Sequence, residues 1–147
     1  IGHLRQAGYG LGSSHLLGLV AEGALHYGDI AAAEAAVREA FEHLDQVGPE
    51  LWEGEIHRLH GDVLRERGQA VAVVAQSYRR ALDIAERQHA KLLELRAAAS
   101  LVRILAGSVD QEPARQRLQR VYDWFTEGFD TVDLVDARGV LGSRPAS

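Results

Sequence analysis

Apolar residues recur along this chain at helical spacing. Val37, Ala40, Phe41 and Leu44 fall on one helix face, and Leu101, Ile104 and Leu105 on another. No segment shows the period-two alternation of a half-buried strand. Helix punctuation separates the periodic stretches. In Tyr27-Gly28-Asp29 a glycine stops one helix and an aspartate is placed to cap the next. Gly48-Pro49-Glu50 closes one helix and opens another, and Arg67-Gly68-Gln69 repeats the glycine stop. Pro113 suits a first helical turn, where its missing N–H is not needed. The pattern predicts helices over 13–28, 30–47, 50–67, 70–88, 91–107, 111–127 and 131–141. Residues 1–7 read as the last turns of an earlier helix and 142–147 as a frayed tail. Gly139 should weaken the last helix by roughly 1 kcal/mol relative to alanine.

The helices read as copies of one unit. Ala33, Val37 and Ala40 align with Val74, Tyr78 and Ala81, and then with Ala114, Leu118 and Val121, at a period of 40–41 residues. Each triplet lies on one helix face. A fixed period of this size marks a solenoid, whose units bury their apolar faces against one another. Gly61 stands seven residues before Gly68, as in tetratricopeptide units, and Gly28-Asp29 occupies the same inter-helix turn. The expected fold is all-α, a tetratricopeptide-like helical-repeat solenoid of about three helix pairs plus a C-terminal capping helix. Its parts are the end of a preceding repeat with a connection (1–12), the repeat domain (13–141) and a flexible tail (142–147).

Composition narrows the function. A chain of 147 residues can bury a core without metal or disulfide staples, and it has no cysteine to supply a thiol nucleophile or thiolate site. Net charge is −5 with no clustered basic footprint, which argues against nucleic acid. The longest apolar stretch, Leu16 to Leu25, is broken by Glu22 and falls short of the roughly 18 residues of a membrane span. The expected location is cytoplasmic. The chain opens at Ile1 and contains no methionine, so the native start is expected upstream. Lys91 is the only lysine and asparagine is absent, a usage expected of a GC-rich bacterial genome.

Four stretches resemble a known family: Trp52–Leu64 (WEGEIHRLHGDVL), Tyr78–Gln88 (YRRALDIAERQ), Glu94–Leu101 (ELRAAASL) and Trp124–Thr131 (WFTEGFDT). They are similar to the C-terminal repeat region of large bacterial signalling proteins, in which a nucleotide cyclase or transcriptional output domain precedes an AAA-like ATPase module and tetratricopeptide-like repeats. The resemblance covers most of residues 12–137. It implies a repeat arm without its catalytic head, and no enzyme activity or cofactor of its own. The residues agree, because Lys91 has no glycine-rich loop around it that could form a phosphate cradle.

Three constellations bear on chemistry. Glu53, His57 and His60 share a helix face and are a weak candidate for a metal site, without the His-Glu-x-x-His spacing of zincins. Gly8, Gly10 and Gly12, followed by Ser13-Ser14, lack the strand and spacing of a dinucleotide loop and read as an inter-repeat connection, with Ser13 or Ser14 capping the next helix. Ser14-His15 is adjacent in sequence and badly aimed for nucleophilic catalysis.

The face expected to be concave carries His15, Glu22 and His26, then Glu55, Arg58, Asp62 and Arg65, then Arg96 and Arg103. Its four arginines suit carboxylates and interface anchoring. The expectation is a protein or peptide partner, acidic in character, or the parent protein's own catalytic domains. Alternatives are a homo-oligomerisation scaffold and a small-molecule or metal sensor.

Overall fold

The computed structural model describes residues 13–142. Among them are seven helices and no strand: α1 (Ser13–His26), α2 (Ile30–Val47), α3 (Glu53–Glu66), α4 (Val71–Arg87), α5 (Lys91–Ile104), α6 (Gln111–Trp124) and α7 (Val132–Gly142). No helix among the described residues is long and apolar enough to cross a membrane. The readings of residues 1–12, including Gly8, Gly10 and Gly12, lie outside the described residues. Gly142, expected in the tail, instead closes α7, and the rest of the tail lies outside as well.

Local chemistry explains the helix ends. Gly28 turns through φ 80°, and the Asp29 N–H donates back to the Ala24 carbonyl at 2.8 Å. The Asp29 carboxylate then accepts from the Ala32 N–H at 3.1 Å and starts α2. The same turn recurs at Gly68 and Gln69 after α3. After α4 it recurs with His89, at φ 55°, in the place glycine holds elsewhere.

One boundary departs from expectation. Glu50 does not open α3, which begins at Glu53. Its carboxylate accepts from the Ser14 hydroxyl and from His43 Nε2, the latter at 2.8 Å, while its carbonyl accepts from Gln88 Nε2 at 3.0 Å. Ser14 therefore ties α1 to the 48–52 connection, where an N-cap was expected.

Each helix packs on the next in sequence, and the odd-numbered helices also touch in a row: α1 on α3, α3 on α5, α5 on α7. The apolar interior falls into two clusters. Leu17, Ala21, Val37, Ala40, Ile56 and Leu59 belong to the one under α1 to α3. Val74, Tyr78, Leu95, Leu118, Leu134 and Ala137 belong to the one under α4 to α7. Between them, α3 and α4 meet along a glycine seam. A Cβ on Gly54 would lie 3.0 Å from the Ala81 carbonyl oxygen, and one on Gly61 would lie 2.5 Å from the Tyr78 ring. The Arg115 guanidinium, buried beneath α7, donates to the Val140 and Leu141 carbonyls at 3.0 and 2.9 Å. That bonding caps the helix Gly139 was expected to weaken.

Ala40 and Ala81 are both completely buried at helix contacts. Ala81→Leu should overpack the seam and cost roughly 1–3 kcal/mol. Gly61→Ala should cost a similar amount, since its Cβ would collide with the buried Tyr78 ring and force one of the two helices to shift. Chemical denaturation of both variants checks this; an unchanged midpoint for Gly61→Ala would mean that the seam is looser than described.

Candidate functional site

A groove of about 490 Å³ crosses all four odd-numbered helices. From α1 it takes Glu22, Leu25 and His26, and from α3 it takes Arg58, Leu59 and Asp62. From α5 come Arg96, Ser100 and Arg103, and from α7 Val132, Asp133 and Asp136. Six of the residues expected on the recognition face thus converge: Glu22, His26, Arg58, Asp62, Arg96 and Arg103. Three do not line it. His15 stacks flat on Trp52 with ring centroids 4.1 Å apart. Arg65 lies outside and pairs with Glu66 at 3.3 Å and Asp62 at 3.7 Å. Glu55, expected to face outward, is only 4% exposed and lies beneath the groove as its central anion.

Glu55 is reached from two sides. Arg58 Nη2 donates to Oε1 at 2.6 Å and Arg58 Nε to Oε2 at 3.0 Å, a bidentate fork. Arg96 Nη1 approaches Oε1 at 3.5 Å from the next odd helix. The ladder continues outward in both directions. Arg58 also donates to Asp62 at 3.2 Å and lies 3.7 Å from Glu22 on α1, while Arg96 pairs with Asp133 on α7 at 3.0 Å. Arg103 pairs with Asp136 on the same helix. Burial works against the Arg58 charge, but the hydrogen bonds and charge of Glu55, with Asp62 and Glu22 behind them, outweigh it and hold the guanidinium firmly protonated. Asp62 is fixed from below by the Tyr78 hydroxyl, which donates to it at 2.5 Å. Burial and the Asp62 carboxylate push that phenol above its ordinary range.

Two expectations change here. The four arginines were expected to anchor a partner, yet each already holds a carboxylate of this chain. Asp133 and Asp136 were not anticipated in the site at all. The repeat register offers no signal for them: aligning the buried Leu134 and Ala137 with Leu95 and Ala98 sets Asp133 against Glu94 and Asp136 against Ala97, neither of which lines the groove.

Glu53, His57 and His60 do not form a metal-binding cluster. Phe41 stands between the two imidazoles, its ring 4.9 Å from His57 and 5.4 Å from His60. His57 shares one cleft with Glu53 and Arg80, and His60 another with Glu34 and Val63. Among the described residues no group of three or more His, Asp or Glu is placed to hold a metal. Burial, then the charge of Arg80 and the neighbouring His60, lowers the His57 pKa to about 4. Burial also lowers that of His60, against the pull of Glu34.

The His57 shift fixes a pH dependence. The unfolded chain takes up a proton near pH 6.5, and the folded His57 takes it only near 4, so the stability His57 contributes is complete above about 6.5 and lost as pH falls toward 4. Because the ring retains some solvent contact, the loss should be about 1–2 kcal/mol over that window. Denaturation curves between pH 5 and 7 should show a slope in the native protein that flattens in His57→Gln. Equal slopes would assign the dependence to other groups.

No family model, curated protein or solved structure matches the chain, so the reading of this groove rests on its own geometry and chemistry.

Proposed function

We propose that the chain is a non-catalytic, tetratricopeptide-like helical-repeat arm that recognises a peptide segment of a partner, or of its own parent protein, along this groove. The observation that carries the reading is the construction of the groove: each odd-numbered helix contributes to one continuous floor, the arrangement in which a repeat scaffold presents a binding surface. The resemblance of residues 12–137 to the repeat region of bacterial cyclase and ATPase-type signalling proteins supports a role as a sensing or docking arm beside a catalytic module.

The ion-pair ladder separates residues that bind from residues that hold the fold. Arg58→Ala would leave Glu55 buried and short of its bidentate partner, costing roughly 1–3 kcal/mol of stability. Arg103→Ala, on a half-exposed side chain, should change stability by no more than about 0.5 kcal/mol. Of these two arginines, Arg103 is the cleaner probe of recognition.

Ser100 offers a second probe, since it lines the groove and belongs to none of the ion pairs. Ser100→Phe should fill the floor while sparing the ladder. A peptide-array screen should yield segments that bind the native chain and lose about tenfold or more in affinity to Ser100→Phe. If bound segments are indifferent to this variant, the groove is not the recognition surface.

A homo-oligomerisation scaffold has one observation in its favour. Leu16, Leu19 and Val20 form an exposed apolar stripe on α1, whereas the corresponding Ile56 and Leu59 of α3 are fully buried. Sedimentation showing a concentration-dependent oligomer abolished by Leu19→Gln would favour that role; a monomer at all concentrations would remove it.

A further inference from the structure

We infer that the segment received by this groove is basic rather than acidic. The inference rests on the peptide-docking reading above and assigns the chemistry of the ligand.

The charge count sets the sign. Five carboxylates line or underlie the groove, those of Glu22, Glu55, Asp62, Asp133 and Asp136, against the three guanidiniums of Arg58, Arg96 and Arg103. Two negative charges are therefore left over. Arg65 on the rim does not alter the balance, because it comes with Glu66.

The placement of those charges reinforces the count. The Arg58 guanidinium forks onto Glu55 beneath the floor, while Arg96 donates to Asp133 and lies 3.5 Å from Glu55. An incoming carboxylate would have to displace that built-in partner, leaving an ion that is almost wholly buried without its counter-charge. An incoming ammonium or guanidinium can pair with Glu22 without displacing a hydrogen bond. Glu22 is 58% exposed at the α1 end, where it touches only the edge of Arg58 at 3.7 Å and makes no hydrogen bond among the described residues. Asp136 is half-exposed at the other end. The ligand then meets an acid at each end of the groove, and Leu25 and Val132 in its lining offer apolar surface to a side chain.

The span suits a short extended peptide. Four helices at spacings of roughly 8–10 Å cover about 25–30 Å. That is the reach of about eight extended residues. The same residual charge repels anionic polymers, in keeping with the absence of a basic footprint in the sequence.

The test uses the full chain and two blocked peptides of about eight residues, alike except that one carries lysines and the other glutamates around a central leucine. Binding is followed by amide chemical shifts of Glu22, Ser100 and Val132. The lysine peptide should shift these signals, and raising salt from low to physiological strength should weaken it several-fold through screening. In Glu22→Gln combined with Asp136→Asn, whose folding is checked by circular dichroism, it should lose about tenfold or more in affinity. Tighter binding of the glutamate peptide to the native chain would overturn the basic assignment while keeping the groove as the site. Failure of both peptides to shift any groove signal would overturn the docking reading with it.

Discussion

The Tyr78 ring lies against Gly61, where any side chain would collide with it, and its hydroxyl reaches past the helix to Asp62. This contact draws α3 and α4 together where the two apolar clusters meet. It also decides the electrostatics above. With Asp62 held by Tyr78, Arg58 finds one carboxylate a helical turn ahead and another, Glu55, a turn behind. Glu55 then draws in Arg96, and Arg96 draws in Asp133 of α7. One backbone approach made possible by glycine thus propagates, through side chains only, across three odd-numbered helices.

Ion pairs of this kind contribute less to stability than their number suggests, since desolvation offsets much of the attraction. Their stronger effect is on geometry. Arg96 and Arg103, two helical turns apart on α5, engage Asp133 and Asp136, about one turn apart on α7, and this sets how α7 lies against α5. Arg115 secures the other end of α7 by bonding its last carbonyls. A helix with an interior glycine and few intrinsic advantages is held in place by partners from α5 and α6.

The helices were legible in the sequence because two local signals agreed, apolar periodicity and glycine punctuation. At Gly28-Asp29 both the stop and the cap are chemistry of neighbouring residues, and α2 has the bounds the pattern predicts. The start of α3 was not legible, because Glu50 is claimed by Ser14 and His43, distant in sequence. The site divides the same way. Arg58 and Asp62 are visible as a helical face, whereas the burial of Glu55 depends on arginines arriving from two helices. Periodicity reports which side of a helix is apolar; it carries no information on which carboxylate a neighbouring helix will neutralise. The metal candidate failed for the converse reason. Glu53, His57 and His60 do share a face, but Phe41 from α2 enters between the imidazoles.

The groove and the core are divided differently. The apolar interior breaks at the α3–α4 seam, yet the groove floor runs without interruption from α1, over the first cluster, to α7, over the second. A segment lying along it touches helices anchored in both clusters and adds contacts across the break. Binding then opposes any opening at the seam, because the open form would lose one end of the ligand. The reverse also holds: whatever loosens Tyr78 against Gly61 also frees Asp62, which lines the groove. On the proposed docking, recognition and interior packing are coupled through a single helix pair, because a ligand spanning the groove binds only the form in which that pair is closed.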